Sequence, residues 1–444
     1  MMRPTYLRSL GLSYYSTKLP GIGGKIRQTL RDFIVEEISL DNKISYCFKE
    51  NSRIKLNQPT HYLRLSLEKH GVETLRAIQL LANSLKISIS NIGFSGMKDK
   101  EAITSQFISI KDADINIVKN IKIENIFLRN FQYIKSALNI GSLFGNHFII
   151  TIRDIELSTE EIEGVIDSII IEIKKGLINY FGLQRFGKIR PITHLVGKAL
   201  LRRNYENAVK IYLTEIFPDE RNDAINARTE LKETWDFEKA IKNLPSRLNY
   251  EIMMVKSLIK YPNDYKKALE ALPKRLQSMI IYAYQSHIFN KILSKRKEQK
   301  AAFSELRIND FVLILDNQEL TTHAVVLASE KNFSHLKHLI EINKAVIAAP
   351  LIGSQTQIKE DYIKEILKEE GLQLKDFQSK ILHFDRKGGF RPILFSPLNF
   401  KIKKIGKDEI NPTKNKVIID FSLKRGSYAT VLLDEIIKNK KLEK

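Results

Sequence analysis

Asn91-Ile92-Gly93-Phe94-Ser95-Gly96-Met97-Lys98-Asp99-Lys100-Glu101-Ala102-Ile103-Thr104-Ser105-Gln106-Phe107-Ile108-Ser109-Ile110 reads as two strands around a polar turn. Residues 91–94 lead in; residues 103–110 lead out, with Phe107 and Ser109 on one face and Ile108 and Ile110 on the other. Asp99 is thereby expected on a strand-to-strand loop, where a side chain can reach a ligand. Outward from this hairpin, the alternation at 33–38 and 62–67 predicts strands, and 72–85 predicts an amphipathic helix. Residues 148–153 form a further predicted strand. Ser158 and Glu161 then make a capping box ahead of the stripe Ile162, Val165, Ile166, Ile169, Ile170, Ile173, with Gly176 as the stop.

Beyond Gly187 the character changes. Helical stretches at 195–210, 248–261 and 276–295 are joined by polar loops carrying Pro218, Pro245, Pro262 and Pro273. The pieces 310–315 and 323–327 are strand-like, and 361–371 is helical. Strands return at 400–405 and 417–422, before a last helix at 430–438. Strands and helices mixed without regular βα alternation predict an α+β fold rather than a doubly wound sheet. A chain of 444 residues is expected to form two or three domains.

Seventy-two Lys plus Arg against fifty-one Asp plus Glu give a net charge of +21 and an isoelectric point near 9.6. Such an excess favours polyanionic partners, nucleic acid first and an anionic membrane surface second. The single cysteine, Cys47, excludes an internal disulfide framework and Cys-rich zinc modules, and suggests a reducing compartment. The apolar run 345–352 contains a proline and is far shorter than the roughly 20 residues that span a bilayer. Residues 1–31 hold six basic residues and no acidic one. The segment has the composition of an organellar presequence, but reads better as a basic arm touching RNA, because the charge continues into the body of the chain.

Gly21-Ile22-Gly23-Gly24-Lys25 lacks the spacing and the Ser/Thr of a phosphate loop and reads as a turn. Zinc-hydrolase, serine-hydrolase, dinucleotide and adenosylmethionine signatures are not found, so those enzyme classes lose ground together. Asp99 between Lys98 and Lys100 can be a simple Asx turn. Alternatively, the flanking cations favour the ionised carboxylate needed to attack an electrophilic carbon or to stabilise an oxocarbenium-like centre. Asn179-Tyr180-Phe181-Gly182-Leu183-Gln184-Arg185-Phe186-Gly187 has two readings. One is a helix end whose aromatics pack inward; the other is a loop that stacks on a base and reads its edge. Residues 185–210 then carry seven basic residues against Glu206, which suggests a phosphate-tracking surface.

Gly96-Met97-Lys98-Asp99-Lys100-Glu101-Ala102-Ile103-Thr104-Ser105-Gln106 resembles the Gly-x-Lys-Asp-x-x-Ala-x-Thr-x-Gln signature of the tRNA pseudouridine synthase D (TruD) family. Arg31-Asp32-Phe33-Ile34-Val35-Glu36-Glu37 is similar to its Glu-Asp-Phe-x-Val-x-Glu strand, with Arg for the first Glu. Gly145-Asn146-His147-Phe148 is similar to its Gly-Asn-x-Phe strand start, and 179–187 to its Asn-Tyr-Phe-Gly-x-Gln-Arg-Phe-Gly stretch. Tyr284-Gln285-Ser286-His287-Ile288-Phe289-Asn290 resembles a family helix. Arg425-Gly426-Ser427-Tyr428-Ala429-Thr430 resembles the C-terminal Gly-Ser-Phe-Ala-Thr, with Tyr428 where Phe is common. Residues 205–270 and 300–395 are covered only loosely.

The resemblance implies a pseudouridine synthase catalytic domain, a mainly antiparallel sheet with flanking helices, built from 1–190 and 396–444. A family-specific α+β insertion domain, 191–395, would face it across an RNA-binding cleft. The implied reaction isomerises uridine to pseudouridine in tRNA, typically at position 13, and requires no redox change, metal or cofactor. Asp99 would be the catalytic carboxylate and Arg27 its basic partner, in a place where the family usually has Lys. Phe181 would stack on the base with Asn179 beside it; Tyr428, Lys98, Gln184 and Arg185 would complete the substrate contacts. The expected state is a cytoplasmic monomer with tRNA as partner, without membrane attachment or an obligate protein partner. A non-catalytic RNA-binding or RNA-folding protein on the same scaffold is the alternative, and a basic membrane-surface protein a more distant one. Counterion release requires that affinity for RNA fall steeply with salt while turnover of the bound complex does not. Filter binding from low to physiological salt checks this, and a flat response would remove the polyanion reading of the charge.

Overall fold

The computed structural model describes residues 1–50, 52–299, 302–379 and 384–438. The chain divides into two compact units. One comprises 17–177 with the C-terminal residues from 395; the other comprises 1–16 with 178–394. The sequence expectation places the divisions at 190 and 395 and assigns the first residues to the other unit.

The first unit is organised by one sheet. Among the described residues its strands are β1 (Lys25–Ile26), β2 (Phe33–Ile38), β3 (Tyr62–His70), β4 (Ile92–Phe94) and β5 (Ile103–Lys111). They continue with β6 (Ile126–Ile134), β7 (Gly145–Ile155), β8 (Leu398–Lys407) and β9 (Asn415–Lys424). Their order is β8-β9-β7-β2-β5-β3-β6, with β1 added to β7 and β4 to β5. Of these pairings only β2 with β5 is parallel, so the sheet is mainly antiparallel and the class is α+β. Helices α1 (Thr74–Leu85), α2 (Thr159–Glu172) and α3 (Ala429–Ile437) belong to the same unit. The capping box of Ser158 and Glu161 starts α2 as the sequence predicts.

The strands are buried on both faces, for different reasons. On one face of β3, Leu63, Leu65 and Leu67 join Ala77, Ile78 and Leu81 of α1 and Ile108 and Ile110 of β5 in an apolar cluster. On the other, Arg64, Ser66 and Glu68 are buried but partnered. Arg64 reaches Gln132 at 2.8 Å, Ser66 accepts from Asn130 at 3.0 Å and Glu68 is bonded by His70 at 2.7 Å. Buried polar groups are tolerated when satisfied in this way. Gly145 is required where β7 meets β9, since a Cβ there would lie 2.0 Å from the Leu423 carbonyl oxygen. The glycine cluster at 21–24 is a turn, as read. The Ile22 and Gly23 amides donate to the carbonyls of Ile436 and Ile437 at 2.8 and 2.9 Å.

In the second unit a strand order of Thr321–Leu327, Phe311–Leu315, Ala345–Leu351, Gly389–Pro392 forms a small sheet. Around it are helices, the longest being Lys274–Glu298. Two sequence expectations are corrected, and one strand was not read. The single helix at 195–210 is two, Thr193–Leu201 and Tyr205–Thr214. Arg203 turns left-handed (φ 57°), and Asn204 caps the new helix by accepting from the Asn207 amide at 3.0 Å. Strand β6 escapes an alternation test because Asn130 is left-handed (φ 58°) and its pairing with β3 slips between Arg64 and Ser66, which resets the inward face. Residues 1–16 are not a free basic arm. Leu7, Leu10, Leu12 and Tyr15 are buried, and so is Arg3, whose guanidinium lies 4.5 Å over the Tyr15 ring.

Arg228 is fully enclosed. It binds Glu251 Oε1 at 2.6 Å and Glu220 Oε1 at 3.0 Å and donates to the Leu213 carbonyl at 2.9 Å. Arg228→Met leaves Glu220 and Glu251 to Arg190, 3.3 and 3.2 Å away, and removes the closer of their two cations, so it is expected to destabilise this unit by up to about 3–5 kcal/mol. Urea unfolding measures it; a loss under about 1 kcal/mol would show that Glu220 and Glu251 do not depend on Arg228.

Candidate active site

Asp99 sits in the loop between β4 and β5, and several interior groups hold that loop. Lys98 is buried; its ammonium lies 2.8 Å from Glu37 Oε2, an ion pair rather than a well-directed hydrogen bond. It also donates to Asn146 Oδ1 at 2.8 Å. Glu37 belongs to β2 and Asn146 to β7, so two neighbouring strands grip the residue before Asp99. The Lys98 amide donates to Thr74 Oγ1 at 3.0 Å, at the start of α1. Gln106 Nε2 donates to the Gly96 carbonyl at 2.9 Å, and Lys69 Nζ to the Asp99 carbonyl at 2.7 Å. With its backbone held from below, Asp99 keeps a half-buried side chain, 37% exposed.

Arg27 completes the pair. It follows β1 in a left-handed conformation (φ 64°), a region costly for a non-glycine residue, by about 1–3 kcal/mol, and typical of functional sites. Its guanidinium lies 3.9 Å over the Phe33 ring. Its Nη2 donates to Asp99 Oδ2 at 2.7 Å and its Nη1 to the Glu101 carbonyl at 3.3 Å. The result is a carboxylate with a charge-assisted hydrogen bond on one oxygen and solvent access. Such a group can act as nucleophile, as base or as electrostatic support for a cationic centre. Tyr428, half-buried, occupies the N-cap position of α3.

In the second unit, Asn179 and Phe181 are buried. The Asn179 side chain donates to the Pro392 carbonyl at 2.9 Å and accepts from Arg391 Nη2 at 2.7 Å. The Phe181 backbone is clamped by Asn290, which accepts from its amide at 2.8 Å and donates to its carbonyl at 3.0 Å. The Phe181 ring has the Arg391 guanidinium 4.1 Å away on its face, Arg185 at 5.2 Å and Phe289 edge-on at 5.5 Å. Tyr180 and Phe186 are wholly interior, so the inward-packing reading holds for those two. Gly187 is needed at φ 112°, where a Cβ would meet the Arg190 carbonyl oxygen at 2.0 Å. Gln184 is exposed and Arg185 half-buried.

Two expectations change here. Lys98, anticipated as a substrate contact, is engaged inside the sheet. The basic run at 185–210 is in good part scaffold. Arg190 pairs with Glu251 at 3.2 Å and Glu220 at 3.3 Å and Lys198 with Glu370 at 2.5 Å, while Arg202 bonds the Glu370 carbonyl; Lys210, paired with Glu206 at 2.7 Å, stays on the surface. Groups not singled out by sequence reasoning are Lys69, Glu37, Asn146, His147 and Arg391. Glu37, Asn146 and His147 lie within the family-like segments; Arg391 stands in a stretch with no such signal. Among the described residues, no cluster of His, Cys, Asp and Glu could hold a metal ion.

A half-exposed aspartate on a strand-to-strand loop, held by an arginine, over a mainly antiparallel sheet completed from both ends of the chain, is the arrangement implied by the pseudouridine synthase resemblance. Comparison with known proteins bears out the family resemblance itself. The family model for "tRNA pseudouridine synthase D (TruD)" matches residues 9–436. A Methanosarcina mazei protein named "Probable tRNA pseudouridine synthase D" is 35% identical over 444 residues, covering 98% of each chain. An Archaeoglobus fulgidus protein of the same name is 33% identical over 434 residues, covering 97% of this chain and 98% of that one. A crystal structure from Methanosarcina mazei carrying the same family name superposes with a TM-score of 0.81 at 34% identity, covering the whole of both chains. The chain belongs to the tRNA pseudouridine synthase D family.

His147 lies between carboxylates, its Nδ1 2.8 Å from Glu36 and its Nε2 2.7 Å from Asp420. Burial alone would lower its pKa, but the hydrogen bonds and charges of Glu36 and Asp420 outweigh it and raise the pKa above the ordinary 6.5. The stability this gives is fully present below pH 6.5 and lost as pH rises through the folded-state value. An NMR titration of His147 should have its midpoint above 6.5; a midpoint at or below it would mean that the two carboxylates do not hold the imidazolium.

Proposed function

We propose that this protein is a tRNA pseudouridine synthase, an isomerase that converts a uridine of tRNA to pseudouridine, with the uridine at position 13 as its target. The N-glycosidic bond between ribose C1′ and uracil N1 breaks, the base turns over in place and C5 bonds to C1′. The C5 proton is lost and N1 gains one, so the reaction is balanced without an oxidant or reductant. The observation that carries the reading is the Arg27–Asp99 pair, 2.7 Å apart, on a loop anchored by Lys98 and Glu37 in a chain of this family.

In this reading Asp99 acts on the ribose as nucleophile or base, and Arg27 keeps its carboxylate charged and oriented. Phe181 stacks on the base and Asn179 is its polar neighbour. Phe181 is enclosed here and the Asn179 amide is bonded on both ends, so their use requires a local rearrangement on binding RNA. Gln184, Arg185 and Tyr428 are the more accessible substrate groups. Lys98 contributes by shaping the loop. The unit from 17–177 and the C-terminal residues is the catalytic domain and 178–394 the bulk of the family-specific one. The protein works as a cytoplasmic monomer on tRNA; among the described residues no helix is long and apolar enough to cross a membrane.

Asp99→Asn is expected to retain tRNA binding and lose at least about 100-fold in turnover, the lower range for removing one reacting group. Mapping of pseudouridine by carbodiimide modification or mass spectrometry reads the product. Turnover near wild type would end the assignment of Asp99. Absence of product from the wild-type protein on any tRNA would favour the non-catalytic RNA-binding alternative.

A further inference from the structure

Lys69 is a lysine with no exposed surface, at the end of β3 and directly below the Asp99 loop. Its ammonium donates to the Asp99 carbonyl at 2.7 Å and makes a longer bond to the Lys98 carbonyl at 3.4 Å. A buried ammonium is costly unless it is bonded and balanced by nearby charge. The charged groups around it are Asp99 and Lys98 from the loop and Glu73 from the lead into α1; the Cys47 thiol, from the segment before β3, is pushed up by burial and stays uncharged. Thr104 is its direct partner on β5 and Ile126 its partner on β6. Neither brings a charge. The carboxylate balancing Lys69 is therefore, foremost, the one proposed to do chemistry.

We infer that Lys69 is a positioning residue for Asp99, its enclosed ammonium fixing the loop by two consecutive backbone carbonyls and setting an upper pH limit on turnover. The inference rests on the reading of Asp99 as the reacting carboxylate. Burial lowers the Lys69 pKa to about 8, a shift opposed by Asp99 and reinforced by Lys98. Above that value the group loses its charge and one of its hydrogens, so its bonds to the two loop carbonyls are no longer charge-assisted and the anchor weakens. The sign separates this from unfolding. Because its folded pKa lies below the ordinary 10.5, deprotonation of Lys69 between about pH 8 and 10.5 favours the folded state. A loss of turnover in that window does not come from this residue destabilising the fold.

The test is single-turnover kinetics on a tRNA transcript from about pH 6 to about pH 9.5, with tRNA affinity measured in parallel. Wild type should show an alkaline limb near pH 8. Lys69→Arg stays charged over this range and should move the limb beyond it. Lys69→Met should lower the neutral-pH rate on the order of 10- to 100-fold, the scale of a misplaced reacting group, with affinity unchanged and no limb near 8. If Lys69→Met does not fold, Lys69→Arg carries the test alone. An unchanged limb in Lys69→Arg, or normal turnover by Lys69→Met, overturns the proposal while leaving an inactive Asp99→Asn unaffected. Turnover by Asp99→Asn overturns the Asp99 reading and this inference with it.

Discussion

The geometry of the site depends on where one ammonium group lies. Lys98 is enclosed against Glu37 and Asn146, whose strands β2 and β7 are hydrogen-bonded neighbours. Removing a charge from water costs several kcal/mol, and only a matched partner with good geometry recovers it. The Lys98 head group thus has essentially one place to be, and the next residue, Asp99, inherits that precision. Residues of three separate segments, 31–37, 96–106 and 145–148, meet at this point. Asp32 of the first segment serves a second network, accepting from Arg153 at 2.8 Å. Glu36 accepts from the Cys47 amide at 2.7 Å and bonds His147.

The sequence was informative where local rules decide the outcome. The hairpin around Asp99 and the capped helix starting at Ser158 follow from alternation and capping. Where a single residue resets the pattern it was silent, at Asn130 in β6, or misleading, at Arg203 between two helices. Asp99 and Arg27 were legible because their motif and order are distinctive, and they are brought together. The role of Lys98 was not legible, since a lysine beside an aspartate looks the same in sequence whether it faces solvent or a buried glutamate. Lys69 was hidden for a related reason. It closes a strand of alternating leucines, where the expected residue is apolar and a buried cation leaves no local signature.

Total charge behaves in the same way. The excess of +21 identifies a chain suited to polyanions, but several of the cations that first suggested an RNA surface are internal fasteners. Glu370 alone gathers Lys198, Lys291 and the Tyr284 hydroxyl, and the Arg202 guanidinium takes its backbone oxygen. Charge density along the sequence and charge presented to a ligand are therefore different quantities, and only side-chain placement separates them.

The central position of β7 carries a consequence for synthesis on the ribosome. Its neighbour β9 pairs with it along its length, yet lies roughly 270 residues later in the chain, a long-range pairing of the kind that slows folding. At about 5–20 residues per second, β7 waits roughly 15–50 s with one edge unpaired while the other unit is made. Such an edge is a template for unwanted strand addition. The nascent chain therefore passes through a defined interval in which the half-built sheet presents an edge that its own later sequence has yet to cover.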